Sequence, residues 1–154
     1  GGVMKILDGR PYIPQIRKLI EEYTSWLGRD LTFQNLEEEL RDPAKKYTPP
    51  QGEVLVAEEA GRIIGMIAYH RHTDRRCEMK RLYVNPEYRG RNAGERLIET
   101  LIEHAKAAGY QEMVLDSIVS LHAAIHLYKK FGFQECEPYY ENPMSDAIYM
   151  RRAL

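Results

Sequence analysis

The feature that most constrains the fold of this chain is a glycine-containing loop between an extended apolar run and an amphipathic helix. Leu82, Tyr83 and Val84 end the run, and the loop follows as Arg89-Gly90-Arg91-Asn92-Ala93-Gly94. Beyond the loop, apolar residues recur at helical spacing, at Leu97, Ile98, Leu101, Ile102 and Ala105. A strand that turns through such a loop into a helix indicates an α/β domain.

The loop has the physical properties of a phosphate site. The first N–H groups of a helix lack intrahelical partners, and the helix dipole adds about half a positive charge there. Phosphate is the natural ligand of such a helix end. Gly90 and Gly94 allow a positive φ or a close approach of the backbone, and Arg89 and Arg91 add charge. These residues alone leave two interpretations open, a phosphate site and an ordinary strand-to-helix turn.

Composition limits the classes of protein to consider. The chain has 154 residues, 44% hydrophobic and 29% charged, which suits one domain over residues 1–154, with Gly1 and Gly2 expected to be a cloning remnant. No apolar run approaches the ~20 residues of a membrane span. A net charge of −1 argues against a general nucleic-acid binder. Cys77 and Cys136 are too few for a disulfide framework and lack metal-ligand spacing, so we expect a cytoplasmic protein.

Periodicity and turn residues predict a mixed sheet with helices on both faces. Strands are predicted at residues 3–7, 53–58, 63–70, 76–84, 112–116, 133–137 and 146–151, and helices at residues 11–27, 34–41, 96–109 and 120–131. Residues 42–52 are predicted to form a loop. The middle strands should form an antiparallel meander, and the crossover helix should set the strand at 112–116 parallel to its neighbour. We therefore expect a mostly antiparallel sheet of six or seven strands with about four helices.

Two motifs in this order resemble those of the GNAT superfamily of N-acetyltransferases. The loop at residues 89–94 is similar to the family's acetyl-coenzyme A loop, and Leu127-Tyr128-Lys129-Lys130-Phe131-Gly132-Phe133 is similar to its Leu-Tyr-x-x-x-Gly-Phe signature. The resemblance implies the GNAT fold and acetyl-CoA as co-substrate, with no metal. Asn92 departs from the family's central glycine, and Leu121 stands where many members have an asparagine that touches the coenzyme. Both departures bear on coenzyme affinity rather than on the fold.

The resemblance also implies where the coenzyme binds. Backbone N–H groups at the helix start would hold the pyrophosphate, and the strand before the loop would pair with the pantetheine arm like an added strand. A bulge in that strand would turn the N–H near Leu82 toward the acetyl carbonyl. Lys129 and Lys130 are candidates for the nucleotide phosphates, and equally for a solvated helix face. The implied cofactor-binding residues are Leu82, Tyr83, Val84, Arg89, Gly90, Arg91, Asn92, Ala93, Gly94 and Glu95.

Two residues are implied to be catalytic. Tyr128 would lie near the coenzyme sulfur and donate a hydrogen bond or a proton to the departing thiolate. Strand alternation predicts that Glu78 shares a face with Leu82, where it would act as the base for the amine. The alternative interpretations are a packing tyrosine and a surface glutamate paired with Lys80 or Arg62.

The acceptor is less constrained by the sequence. Residues 138–143 include Tyr139, Tyr140 and Asn142, and in the GNAT superfamily the corresponding loop borders the acceptor. The same residues would also suit a self-packed loop or a homodimer contact. We expect the partner to be a small-molecule amine or an exposed peptide amino group, with no nucleic acid and no membrane. Because Asn92 and Leu121 depart from the usual coenzyme contacts, a non-catalytic acyl-CoA-binding sensor is the alternative function.

Other reactive side chains carry weaker signals. His122 and His126 are four residues apart on a predicted helix, a spacing that can hold a metal, but no third ligand accompanies them. His70 and His72 share one face of a strand that leads toward the expected acceptor cleft, as bases or as ordinary exposed residues. Cys77 has no identifiable histidine partner, so we do not expect it to be a nucleophile.

Overall fold

The computed structural model describes residues 3–30 and 36–154, and these residues form a seven-stranded mixed sheet. The strands are β1 (Lys5–Asp8), β2 (Gly52–Glu59), β3 (Arg62–Arg71), β4 (Arg76–Val84), β5 (Glu112–Ile118), β6 (Gln134–Glu135) and β7 (Ala147–Ala153). Their order across the sheet is β1-β2-β3-β4-β5-β7-β6. The predicted α/β fold with a mostly antiparallel sheet of six or seven strands is confirmed.

Five α-helices accompany the sheet in the described part of the chain, one more than predicted. They are α1 (Ile13–Leu27), α2 (Leu36–Arg41), α3 (Pro43–Lys46), α4 (Ala93–Ala107) and α5 (His122–Lys130). The prediction of a loop throughout residues 42–52 was wrong, because Pro43 begins α3 at a position where its missing N–H costs nothing. The predicted end of α1 at residue 27 is confirmed, and Gly28 follows it in the left-handed conformation. The predicted remnant Gly1-Gly2 and the predicted helical start at Gln34 and Asn35 lie outside the described residues.

The site depends on the way in which β4 and β5 separate. All other neighbouring strands are antiparallel, whereas β4 and β5 are parallel and are joined by the crossover through α4. Their pairing covers only Arg76 to Glu78 on β4 and Glu112 to Val114 on β5. Both strands continue beyond these pairs, so their carboxyl ends diverge and leave a gap in the middle of the sheet.

The two faces of the sheet carry separate apolar cores. On one face, α4 contributes the fully buried Leu97, Ile98 and Leu101, and α5 contributes Tyr128. On the other face, α1 packs Ile16 and other residues against strand residues that include Val54, Val56, Met66, Ala68 and Tyr83. Burial of an aliphatic side chain of this size contributes about 1.5–3 kcal/mol, so both helix layers are anchored on either side of the gap.

A β-bulge in β4 changes which side chains face which core. Lys80 pairs with Ala68 and Tyr83 with Met66, so two residues of β4, Arg81 and Leu82, lie opposite the single residue between them on β3. Arg81 has a φ of 61°, in the left-handed region.

The bulge overturns one prediction made from alternation. Leu82 and Val84 pack with the core of α4 and α5, whereas Glu78 lies opposite His70 on the α1 face, the face of Ala68. The prediction that Glu78 shares a face with Leu82 was wrong, because the extra residue reverses the alternation between them.

Candidate active site

The gap between β4 and β5 opens into a cleft of about 610 Å³. One wall is formed by β4 from Met79 to Val84, and the other by β5 from Leu115 to Ile118. The start of α4, the first turns of α5, the end of α1 and the segment between β6 and β7 complete the lining. Because strand backbone faces the cleft without a pairing partner, an extended ligand can enter between the two strands.

The loop at residues 89–94 forms one end of this cleft. Gly90 has a φ of 84°, and Asn92 precedes α4 with φ 61° and ψ 21°. Asparagine tolerates this left-handed conformation better than most residues. Gly94 lies in the first turn of α4, where an added Cβ would be 3.2 Å from Leu127 of α5. The loop therefore directs the open N–H groups of α4 to the cleft while α4 and α5 pack closely.

The basic side chains near the loop differ in whether their charge is available to a ligand in the cleft. Arg89 lines the cleft, and its guanidinium lies 5.2 Å from the ring centroid of Trp26. Arg91 is not in the lining, because it pairs with Glu59 and stacks on Tyr88. Among these arginines, Arg89 is therefore the one whose charge faces the cleft.

The lysines of the second motif lie outside the cleft. Lys130 forms an ion pair of 3.0 Å with Glu95, a residue that does line the cleft. Lys129 and Lys130 are both exposed on the surface of α5 and are not in the cleft lining. The structure thus favours a solvated helix face for them.

Tyr128 lies in the cleft on the side of α4 and α5. Its side chain is 8% exposed and packs edge-on against Phe133, with 6.1 Å between ring centroids. Burial raises the pKa of Tyr128 above its ordinary value, so the phenol stays protonated at neutral pH. No described residue forms a hydrogen bond with its hydroxyl. A neutral, unpartnered hydroxyl in an apolar wall is suited to donate a hydrogen bond to a ligand.

A buried ion pair holds the bulge next to Leu82. Arg81 Nε donates to Glu39 Oε2 at 2.8 Å, and both side chains are at most 3% exposed. Tyr47 donates to the same carboxylate at 2.8 Å, and Lys46 lies 3.5 Å from it. Burial alone would raise the pKa of Glu39, but the Arg81 guanidinium, the Lys46 charge and the Tyr47 hydroxyl together lower it. The pair ties α2 and α3 to the bulge, so the first helices fix the backbone beside the cleft.

Glu78, expected from the sequence to act as the base for the amine, lies outside the cleft. Its carboxylate contacts His70 Nε2 at 2.7 Å and accepts from the Tyr139 hydroxyl at 2.5 Å. Burial would raise the pKa of Glu78, but the hydrogen bond to His70, the Lys80 charge and the Tyr139 hydroxyl together lower it to about 2. A carboxylate with such a pKa accepts protons poorly. Its contacts instead fasten the segment between β6 and β7 to β4.

Two charged residues of the cleft were missed by the sequence reasoning. Lys80 on β4 and Asp116 on β5 line the cleft from opposite strands. The Tyr140 hydroxyl and Asn142 Nδ2, the latter at 2.9 Å, both donate to Asp116 Oδ2. The signal for Lys80 was its position within a central strand, where unpaired charges are rare. The signal for Asp116 was its place near the carboxyl end of a parallel strand, where ligands bind in α/β sheets.

The remaining reactive side chains of the described residues form no metal site and provide no ready nucleophile. His122 and His126 both line the cleft, but residues 3–30 and 36–154 contain no group of three potential metal ligands. Cys77 is buried, and burial raises the pKa of its thiol to about 12, so it is not a ready nucleophile. No helix in the described ranges has the length and apolar character needed to span a membrane.

Comparisons with known proteins agree with this geometry. The model of the acetyltransferase (GNAT) family matches residues 14–133. An uncharacterized N-acetyltransferase from Schizosaccharomyces pombe is 45% identical over 141 residues, which cover 90% of this chain and 86% of that protein. A GNAT family acetyltransferase from Staphylococcus aureus superposes with a TM-score of 0.81 at 19% identity and covers 98% of this chain and 99% of its own. An acetyltransferase from Bacillus anthracis solved with acetyl coenzyme A is 25% identical, with a TM-score of 0.62 over 71% of this chain and 66% of its own.

Proposed function

The chain belongs to the GNAT family of acetyltransferases, and from this premise we propose that it transfers the acetyl group of acetyl-CoA directly to a primary amine in a ternary complex. The observation that carries the proposal is the gap between β4 and β5, with the open N–H groups at the start of α4 at one end and the Tyr128 hydroxyl in its wall. A small molecule or an exposed peptide amino group is the proposed acceptor.

In this proposal the coenzyme lies along the α4 and α5 side of the gap. Backbone N–H groups of residues 91–95 hold the pyrophosphate, and Arg89 supplies charge beside Gly90. The backbone from Leu82 to Val84 pairs with the pantetheine arm. Support comes from the edge of β4 that faces β5, which is unpaired beyond Glu78, and from the left-handed Asn92 at the start of α4.

The chemical step needs few protein groups. The amine nitrogen attacks the thioester carbonyl, a C–N bond forms, the C–S bond breaks, and the nitrogen gives up one proton. We place the N–H near Leu82 at the carbonyl oxygen, because the bulge leaves this stretch without a strand partner on β3. Tyr128 donates a hydrogen bond to the departing thiolate, which then takes up a proton. No covalent enzyme intermediate is involved.

The surroundings of Glu78 favour a structural role over the role of a base. With a pKa of about 2 and contacts to His70 and Tyr139, it serves better as an anchor of the acceptor loop than as a direct base. An acceptor of low pKa makes a strong base unnecessary. Keeping an α-amine of pKa 7.7–8.0 neutral at pH 7 costs about 1–1.4 kcal/mol, against about 4.6 kcal/mol for a lysine-like amine.

The compartment is part of the proposal. The two cysteines, Cys77 and Cys136, are both free thiols. Free thiols are typical of reducing compartments, and acetyl-CoA chemistry is compatible with them, so we propose a cytoplasmic enzyme.

The experiment that tests the function is release of coenzyme A thiol from acetyl-CoA across a panel of amines, with the acetylated product identified by mass spectrometry. We expect thiol and N-acetyl product in equal amounts with at least one amine. Tight binding of acetyl-CoA without product from any amine would contradict the proposal and favour a sensor of acyl-CoA. The sensor alternative derives from Asn92 and from Leu121, an apolar residue in the cleft lining.

A further inference from the structure

One lysine within the cleft, Lys80, has no close partner among the described residues. Lys80 is 8% exposed, and no described residue lies within ion-pair or hydrogen-bond distance of its ammonium group. Its charged neighbours are engaged elsewhere, because Arg81 pairs with Glu39 and Glu78 binds His70. Burial lowers the pKa of Lys80 more than the charges of Glu78 and Asp116 raise it.

A buried, unpaired ammonium group is costly, and an anionic ligand group would relieve the cost. Lys80 lies opposite Ala68 and so belongs to the α1 face of the sheet. Tyr128 and the start of α4 belong to the other face, where the proposed function places the coenzyme. The anion that reaches Lys80 therefore belongs to the acceptor and not to the coenzyme phosphates.

The opposite strand supplies the complementary charge. Asp116 alternates with Leu115, which packs in the α4 core, so Asp116 also faces the α1 side. Its Oδ2 is held by Tyr140 and Asn142, whereas no described residue donates to Oδ1. Oδ1 is free to accept a hydrogen bond from a ligand. Lys80 and Asp116 are not within ion-pair distance of one another, so each presents its charge to the space between the strands.

We infer that the acceptor is an α-amino acid whose carboxylate pairs with Lys80 and whose amine donates to Asp116 Oδ1. This inference rests on the proposed function and names the substrate class of the same site. An α-amine also suits a cleft without a strong base, because its pKa is closer to neutral than that of a lysine-like amine. Lys80 and Asp116 then act as specificity determinants that orient the amine toward the thioester.

The test compares free amino acids with their carboxamides and decarboxylated amines as acceptors. We expect kcat/KM to be about 10- to 100-fold higher for an amino acid than for its carboxamide, the range typical of one buried charge-assisted hydrogen bond. Lys80→Met should reduce this preference by a similar factor, mainly through KM, and Lys80→Arg should restore part of it. Thermal unfolding of each variant verifies that it is folded.

Three results would overturn the inference. The first is equal or better acetylation of the carboxamides and amines. The second is an equal loss of kcat for all acceptors in Lys80→Met, which would make Lys80 the base. The third is an acetyl group on Lys80 itself in a peptide map. Absence of acetylation with every acceptor would overturn the proposed function as well, so the two failures are distinguishable.

Discussion

Among single residues, Tyr128 matters most to the proposed chemistry, through its hydroxyl. It is buried in the cleft, and no described residue forms a hydrogen bond with it, so its removal should leave packing intact. We expect Tyr128→Phe to lower kcat about 100-fold, as for other lost donors to a developing anion, with little change in acetyl-CoA affinity. Steady-state kinetics and a direct binding titration measure the two quantities. Unchanged turnover would remove Tyr128 from the mechanism.

The structural role of Glu78 can be tested by the pH dependence of the stability of the protein. Its pKa falls from an ordinary 4.5 to about 2 on folding, so the unfolded chain binds more protons between these values. The carboxylate therefore contributes stability that is complete above pH 4.5 and is lost as the pH falls toward 2. The shift corresponds to roughly 3 kcal/mol.

We expect Glu78→Gln to be less stable than the wild type by roughly that amount at neutral pH, with the difference shrinking toward zero near pH 2. Denaturant unfolding from pH 2 to 7 measures it. Glu141→Gln is the matched control, because Glu141 is exposed. A stability difference that does not vary with pH would show that the carboxylate is not held as described.

Some residues of the site could be predicted from the sequence, and others could not. Arg89, Gly90, Asn92 and Tyr128 belong to local motifs, and a local motif carries its own geometry. Lys80 and Asp116 are 36 positions apart and line one cleft only because the fold brings β4 and β5 together, so the local signal at each residue could not show that they share a site. Side-chain partners such as Tyr139 for Glu78 have the same long-range origin.

At the scale of elements, the loop before α4 shows how one backbone conformation controls a ligand site. Asn92 has a φ of 61°, a value that costs a β-branched residue about 1–2 kcal/mol. We expect Asn92→Val to be less stable than Asn92→Gly by about this amount and to bind acetyl-CoA more weakly, because relaxation of the strain turns the N–H groups of α4 away. Thermal unfolding and calorimetric titration test both effects. Equal acetyl-CoA affinity of the two variants would contradict this role of the loop.

Strand β4 shows where periodicity fails as a predictor. Its bounds, residues 76–84, matched the prediction. The bulge at Arg81, however, adds one residue to the strand, so strict alternation assigns the wrong face of the sheet when it is counted across the bulge. A bulge depends on a partner strand and on the buried Glu39, neither of which is local in sequence. Helix α3 differs from the prediction for another reason, since a proline such as Pro43 is typical of loops but also of the first position of a helix.

At the scale of the whole molecule, the order of elements explains why the cleft is where it is. An antiparallel meander ends in β4, the α4 crossover sets β5 parallel to it, and the two strands then part. The element order could be read from the sequence, because hairpin and crossover signals are local. The distance over which β4 and β5 separate could not be read from the sequence, because it depends on how α1, α4 and α5 pack on opposite faces of the sheet.

The most direct test of the account is a crystal structure of the chain with coenzyme A. We predict that the pyrophosphate lies on the N–H groups of residues 91–95 and that the pantetheine arm runs between β4 and β5. The sulfur should lie within hydrogen-bond distance of the Tyr128 hydroxyl, with the Lys80 side of the cleft left open for an acceptor. A coenzyme bound outside the gap, or a sulfur remote from Tyr128, would contradict the central claim that the separation of these two strands forms the acetyl-transfer site.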